Sequence, residues 1–228
     1  ERLRHVGVGG ASPTRAVVFA ERIATLTWLR DHLPKALGLK AENVAMLHGG
    51  LSDVEQQEIV DSFKLETSPI RVLVTGDVAS EGVNLHAQCH HLIHFDIPWS
   101  LIRIEQRNGR IDRYGQKHPP VISSLILEPS DPDFSGDLRV LSRLLERENQ
   151  AHKTLGDVAS LMGKHSVTEE ENAIRDVLAK GADLDEAVRS ADEVADGSDL
   201  DAFFAQFDVV DDTPTLLPAA PRQSLYPD

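Results

Sequence analysis

The densest chemistry in this chain lies between Gln106 and Gln116, in the run QRNGRIDRYGQ. Three arginines, Arg107, Arg110 and Arg113, fall inside it, punctuated by Gly109 and Gly115. Arg110 and Arg113 are three apart, so on a helix they share a face. Two neighbouring guanidiniums repel each other unless an anion sits between or in front of them. Phosphate is the anion whose geometry best suits a paired, forked donor. The competing reading is a solvated charged helix with Glu105 and Asp112 as local partners. Spacing alone leaves both open, and the elements around the run must decide.

Those elements alternate. RAVVFA, Arg15 to Ala20, is a short β-branched run suited to a strand buried on both faces. Ile23, Leu26, Leu29 and Leu33 follow at helical spacing, predicting an amphipathic helix over about 21–33, loosened by Pro34 and Gly38. A second strand, VAMLH, runs from Val44 to His48 and is followed by Gly49 and Gly50. Ser52 with Glu55 three residues on is a capping-box signature, so a helix is expected to start at Asp53. RVLVT (71–75) is the third strand, GDVASEGVNL (76–85) a loop, HLIHFD (91–96) the fourth strand and VISSLIL (121–127) the fifth. Between the last two strands, Pro98 and Trp99 lead into the helix that carries the arginine run. Strand–helix alternation implies right-handed crossovers and a parallel sheet, whose ligand edge is the carboxyl end of its strands. His48-Gly49-Gly50, the 76–85 loop and the turn after Asp96 all fall at that edge.

Composition bounds the rest. With 228 residues the chain can bury one α/β core plus an appendage. Its net charge of −14 is uneven: residues 1–128 carry 14 Lys+Arg against 15 Asp+Glu, and residues 129–228 carry 9 against 22. An acidic chain argues against non-specific nucleic-acid binding, yet a near-neutral core can hold a local basic stripe. Cys89 is the only cysteine, which excludes an internal disulfide and fits a reducing compartment. The chain has no stretch of membrane-spanning length, and its start, ERLRHVGVGG, lacks a signal peptide's apolar run. A cytoplasmic fragment of a longer protein, with no membrane partner, is expected.

The expected organisation is a polar linker (1–14), an α/β domain (15–130), an acidic α-helical extension (131–195) and an acidic, then Pro-rich tail (196–228). Within the extension, leucines from Leu138 to Leu161 suggest a long helix over 136–162, and 168–180 and 183–195 two acidic helices. Phe203, Phe204 and Phe207 in the acidic tail form an aromatic anchor for this domain, another domain or a protein partner.

Read together, RAVVFAERIATLTWLRDHL, MLHGGLS, VTGDVASEGVNL and HFDIPWSLIRIEQRNGRIDRYGQ resemble motifs IV to VI of the second, C-terminal RecA-like lobe of superfamily 2 helicases and translocases. The similarity covers about residues 15–128. The ending Gly115-Gln116 favours the bacterial Swi/Snf-type branch, of the RapA/HepA type, over DEAD-box RNA helicases. The resemblance implies a RecA-like parallel sheet flanked by helices. It implies ATP with Mg²⁺, bound mainly by an N-terminal RecA-like lobe of the same protein, and a track on double-stranded DNA rather than RNA. By the same resemblance, Arg110 and Arg113 match arginine fingers reaching the γ-phosphate across a cleft. Gln106, Glu81, Gly82 and Asn84 match nucleotide-side positions. His48, Gly49, Thr75 and Ser80 match the sugar-phosphate track. Relatives usually place a hydroxyl residue directly before the motif V acid, whereas here Gly76 holds that place and Thr75 comes one earlier.

A phosphate cradle of the form Gly-x-x-x-x-Gly-Lys-Ser/Thr does not occur in these 228 residues. Gly163-Lys164 is followed by His165 and lies beyond the sheet, and Asp192-Glu193-Val194-Ala195 sits in the acidic tail with no buried strand before it. The chain alone is therefore expected not to hydrolyse ATP. The cluster His86, Cys89, His90, His91 and His94 invites a zinc reading, but adjacent strand residues point to opposite faces. No metal site is expected, and Cys89 reads as a small buried filler. Trp28 reads as core or lobe-surface packing ahead of a base-stacking platform; Trp99, at the ligand edge, is the better candidate for a functional surface. Two other functional readings stand beside the motor lobe: a lobe of an RNA helicase, and a stand-alone anion-binding or docking module whose acidic tail meets a protein partner.

Overall fold

The computed structural model describes residues 1–10, 12–77, 83–126, 142, 144–147 and 166–180. Five parallel strands form one sheet: β1 (Ala16–Phe19), β2 (Val44–Leu47), β3 (Val72–Thr75), β4 (His91–His94) and β5 (Val121–Ser124). Their spatial order is β2-β3-β1-β4-β5. In register, Phe19 lies opposite both Thr75 and His94, so neighbouring strands end level with one another. Backbone bonds continue the ladder past these ends, from Ala20 N to Thr75 O and from Phe95 N to Phe19 O.

The three central strands β1, β3 and β4 are buried at every residue, as expected for a sheet covered on both faces. Alternate residues feed two separate cores. Ala16, Val18, Val72, Val74 and Ile93 pack with Leu26, Leu29 and Leu37 of helix α2 (Ile23–Leu37). Val17, Phe19, Leu73 and Leu92 pack with Val60 and Phe63 of helix α3 (Asp53–Lys64). The two helices lie on opposite faces because the connection β1–α2–β2 moves outward across the sheet and β2–α3–β3 returns. With one handedness for both crossovers, reversing direction changes the face.

Local signals explain where the helices begin and end. Ser52 Oγ accepts from the Glu55 backbone while the Glu55 carboxylate accepts from Ser52 N at 2.9 Å, so α3 starts at Asp53 through the expected capping box. Its C-terminal carbonyls are met by the buried Arg15, whose guanidinium donates to Phe63 O, to Leu65 O at 2.7 Å and to Glu66 O at 2.9 Å. Pro34 does not end α2, which was expected to loosen there. The helix runs on to Leu37, and Gly38 closes it at φ 67 with Leu39 N bonded to Pro34 O at 2.8 Å. Proline in a last turn forfeits one bond, and the left-handed glycine supplies the stop.

Residues 1–14 are not a bare linker. Arg2–His5 forms a short helix, α1, and Leu3 and Val8 are buried in the core that holds α2. Two apolar residues in a polar stretch were enough to fold it back. The helix α5 (Val167–Lys180) matches the first of the two acidic helices expected in the extension. The long helix expected over 136–162 lies mostly outside the described residues, and the helix over 183–195 and the tail entirely so. Among the described residues no helix is long and apolar enough to cross a membrane.

His94 closes β4 in full burial, its Nε2 2.9 Å from Asn108 Oδ1. Burial pushes its ionisation down to about 4, with Arg107 acting in the same direction. The folded value lies below the unfolded one, so the unfolded chain takes up the proton first as pH falls. The stability is present above about pH 6.5 and is lost as pH drops towards 4, amounting to roughly 2 kcal/mol by pH 5. Urea unfolding between pH 7 and 5 should show this slope on top of that from His91, which burial also holds at about 4, and His94→Gln should make it markedly shallower. An equally steep slope in the variant would remove His94 as its source.

Candidate functional site

The arginine run begins in helix α4 (Leu101–Asn108), which leaves the carboxyl end of β4. Ser100 caps it, its Oγ accepting from Arg103 N at 3.2 Å. Leu101, Ile104, Arg107 and Asn108 are its buried residues. Spacing of three and four puts them on one face, so the helix buries an arginine and an asparagine where the period would ordinarily place leucine.

Arg107 is 2% exposed and is the largest fully buried side chain among the described residues. It forks onto Asp77, Nε to Oδ1 at 2.5 Å and Nη2 to Oδ2 at 2.9 Å. Its Nη1 donates to Asp96 O at 2.9 Å, and its guanidinium carbon stands 5.3 Å from the centre of the Phe19 ring. Asp77 follows β3, Asp96 follows β4 and Phe19 ends β1, so one side chain ties three strand ends to α4. Asp96 adds a further link, its carboxylate accepting from Glu21 N at 2.8 and 3.1 Å at the entrance to α2. Arg103 reaches the same Asp77 at 3.7 Å. A buried charge is tolerable here because its donors are met by carboxylate and carbonyl oxygens. Spacing within the run points to Arg110 and Arg113 and not to Arg107. The signal it missed was phase: Arg107 falls three residues after Ile104, on the buried stripe.

Arg110 and Arg113 do not share a helix face. The helix stops at Asn108, and both arginines lie in the turns after Gly109. They are held from the other side of the loop instead. Leu85 N donates to Arg110 O at 3.0 Å, the buried Ile111 plugs the second core, and Arg113 Nη1 donates to Asn84 Oδ1. Gly115 then turns at φ 92, a left-handed conformation that favours glycine. Gln116 follows and anchors the end of the run, its Nε2 donating to Ile111 O at 2.8 Å and Cys89 O at 3.0 Å. The result is a bonded loop with Arg113 exposed and Arg110 half-buried. It meets the 83–85 segment at the ligand edge, an arrangement able to present guanidiniums to an external anion.

The other sequence candidates divide. His48 and Gly49 lie at the same edge after β2, half-buried and exposed, with His48 Nδ1 accepting from Gly50 N at 3.1 Å. Gln106 is exposed on α4 and Asn84 is exposed beside Arg113. Thr75 is a correction: it is fully buried in β3 and its hydroxyl donates to Gly76 O at 3.1 Å, so no hydroxyl is offered to a phosphate there. Ser80, Glu81 and Gly82 lie outside the described residues. Trp28 is half exposed and stacks on His32 with ring centres 4.5 Å apart.

The histidine cluster also needs a correction. The rings of His90 and His91 come within 4.0 Å, centre to centre, because His90 precedes the strand and escapes its alternation. Burial holds both below the usual histidine range, His91 at about 4. Among the described residues no three His, Cys, Asp or Glu side chains gather as a metal site. Cys89 is buried, donates to His91 O at 3.2 Å, and its ionisation is pushed up to about 12 by burial, which leaves it a packing residue rather than a nucleophile.

With this geometry in hand, the chain was compared with known proteins. Residues 2–115 match the family described as helicase conserved C-terminal domain. An uncharacterized ATP-dependent helicase, YqhH of Bacillus subtilis, is 27% identical over 172 residues, covering 75% of this chain and 28% of that protein. RNA polymerase-associated protein RapA of Vibrio vulnificus is 27% identical over 181 residues, covering 77% of this chain and 18% of its own length. The chain therefore spans well under a third of either relative. Among solved structures, the C-terminal part of the Fun30 ATPase domain superposes with a TM-score of 0.48 at 18% identity, covering 73% of this chain and 48% of that one.

The Arg107 fork makes a stability prediction. Arg107→Ala leaves Asp77 and Asp96 short of their buried cation and should cost about 3 kcal/mol or more in urea unfolding. Arg107→Lys, which cannot fork, should recover only part of that loss. A loss below about 1 kcal/mol in the alanine variant, the ordinary worth of an exposed pair, would mean that the knot does not hold the edge together.

Proposed function

This chain belongs to the helicase conserved C-terminal domain family, as a Swi/Snf-like C-terminal lobe, and from that premise we propose that it is half of an ATP-driven motor on double-stranded DNA. The observation that carries the proposal is the bonded loop after α4. It holds Arg113 exposed against Asn84 and pins the Arg110 backbone to Leu85 at the carboxyl edge of the sheet.

The chemistry follows from the side chains. Phosphoryl transfer spreads negative charge over oxygens, and a guanidinium fixed in advance stabilises that charge without reorganising. A donor on a loop tied at both ends meets this demand better than a free lysine. Asp77 and Asp96 at this edge are engaged by Arg107 and the Glu21 amide. The arginine loop thus offers a cation, which fits the γ-phosphate. MgATP held by an N-terminal RecA-like lobe of the same protein supplies the phosphoryl group. Arg110 and Arg113 complete that site only when the lobes close, with Gln106 and Asn84 on the nucleotide side. By the family resemblance, Glu81 and Gly82 are assigned to the nucleotide side as well.

His48, Gly49 and Ser80 form the nucleic-acid side of the reading. An exposed glycine and backbone amides at a strand end grip phosphate without reading sequence. The likeness to the ATP-dependent helicase YqhH supports an ATP-dependent motor, and the Gly115-Gln116 ending supports the double-stranded DNA track.

In the polypeptide carrying both lobes, Arg110→Ala should lower kcat for ATP about a hundredfold or more and change KM by less than about threefold. Equal losses in both would reduce Arg110 to a binding residue. Duplex DNA should stimulate the wild-type ATPase more than RNA does, and the reverse order would move the chain to the RNA helicases. These 228 residues alone should show no DNA-stimulated hydrolysis.

A further inference from the structure

The extension helix α5 touches the motor lobe through an unusual side chain. Glu170 is fully buried, although it sits in the acidic half of the chain. It shares a face with Ile174 and Val177, also buried, at spacings of four and three. Its Oε2 accepts two bonds from the start of α4, from Ser100 Oγ at 2.6 Å and from Ile102 N at 3.1 Å. The first-turn amides of a helix have no intrahelical acceptor, so an anion there satisfies them and complements the helix dipole. Next to it, Glu171 lies 3.4 Å from Arg103, which also reaches Asp77, the partner of Arg107. A cleft of 330 Å³ between α5 and the strand ends is lined by Glu21, Pro98, Trp99, Arg103 and Glu171.

We infer that Glu170 is a positioning residue for the arginine loop, acting from the extension through α4. This rests on the motor-lobe reading above. The path is short and continuous. Glu170 holds Ser100, the cap of α4, and Ile102 in its first turn; Arg103 and Arg107 on the next turns hold Asp77; Arg110 and Arg113 follow directly after the helix ends. α5 thus fixes the entrance of the helix whose exit presents the guanidiniums. Carboxylate burial is unfavourable without partners, and desolvation raises the Glu170 ionisation even with the two donors in place. A side chain that only decorated an acidic surface would point to solvent, where this cost vanishes. The extension is therefore part of the lobe's working geometry: releasing α5 would free the start of α4 and loosen the arginine pair without removing a single residue that meets the nucleotide.

The test separates positioning from folding. In the polypeptide with both lobes, Glu170→Leu removes the acceptor, and Glu170→Gln keeps an oxygen for both donors. Glu170→Leu should lower kcat at least tenfold, with KM for ATP within about twofold. Glu170→Gln should restore most of the lost kcat. Amide exchange at Ile102, whose N–H bonds to Glu170, should accelerate in the leucine variant and stay slow in the glutamine one. Unchanged exchange at Ile102 would overturn the contact itself, whatever Arg110 variants do. Accelerated exchange with unchanged kcat would leave the contact standing and overturn its role in positioning. If the leucine variant does not fold, unchanged Ile102 exchange and kcat in Glu170→Asp, whose carboxylate falls one methylene short of both donors, would overturn the proposal just as well. Failure of the motor reading shows elsewhere, in an Arg110→Ala protein whose kcat is unaffected.

Discussion

The fork between Arg107 and Asp77 is the constraint on which the working edge of this lobe depends. A parallel sheet delivers its strand ends to one side, but it does not say how the loops leaving those ends relate to one another. Arg107 answers this by bonding to residues after β3 and β4 and lying against the last residue of β1. A leucine in the same place would fill the volume and lose the register. Buried ion pairs are weak devices for stability, because desolvation offsets most of the attraction. Their geometric demand is strict, and fixed geometry is what the proposed phosphate-facing role of the arginine loop needs.

The same logic runs outward from the knot. Asp77 opens the segment that returns, at Asn84 and Leu85, to hold Arg113 and the backbone of Arg110. Gln116 ties the end of the arginine loop to Cys89 and Ile111. At the opposite end of α4, Ser100 and Glu170 hold the entrance. The helix is short, eight residues, and would be marginal by itself. Polar anchors at its start, middle and exit replace the hydrophobic length it lacks. These anchors connect the extension helix, through α4, to the loop that carries the arginines.

Much of this fold was legible because it rests on short-range chemistry. Four-residue β-branched runs mark the buried strands, and Ser52 with Glu55 marks the start of α3 to the residue. The two cores follow from simple alternation, since Val17 and Phe19 must face away from Ala16 and Val18. Where local reading failed, long-range packing had intervened. Residues 1–14 look like a linker until Leu3 and Val8 find the sheet. Pro34 looks like a stop until Gly38 supplies a better one. Thr75 looks like a phosphate donor until its strand is buried on both faces.

What the sequence by itself determined is the kind of protein: a parallel α/β lobe, with an arginine-rich run of family-specific spacing at its ligand edge. Side-chain types and periodicity carry that information because they act over a few residues. What only the tertiary structure decided is which charged groups face inward. Arg107 and Glu170 are indistinguishable by type from their solvated neighbours Arg113 and Glu169. They are buried because partners distant in sequence, Asp77 and Asp96 for one and Ser100 for the other, are brought close enough to offset the loss of water. Helix phase places Arg107 on the buried stripe, but the balance that makes its burial tolerable exists only once the chain has folded.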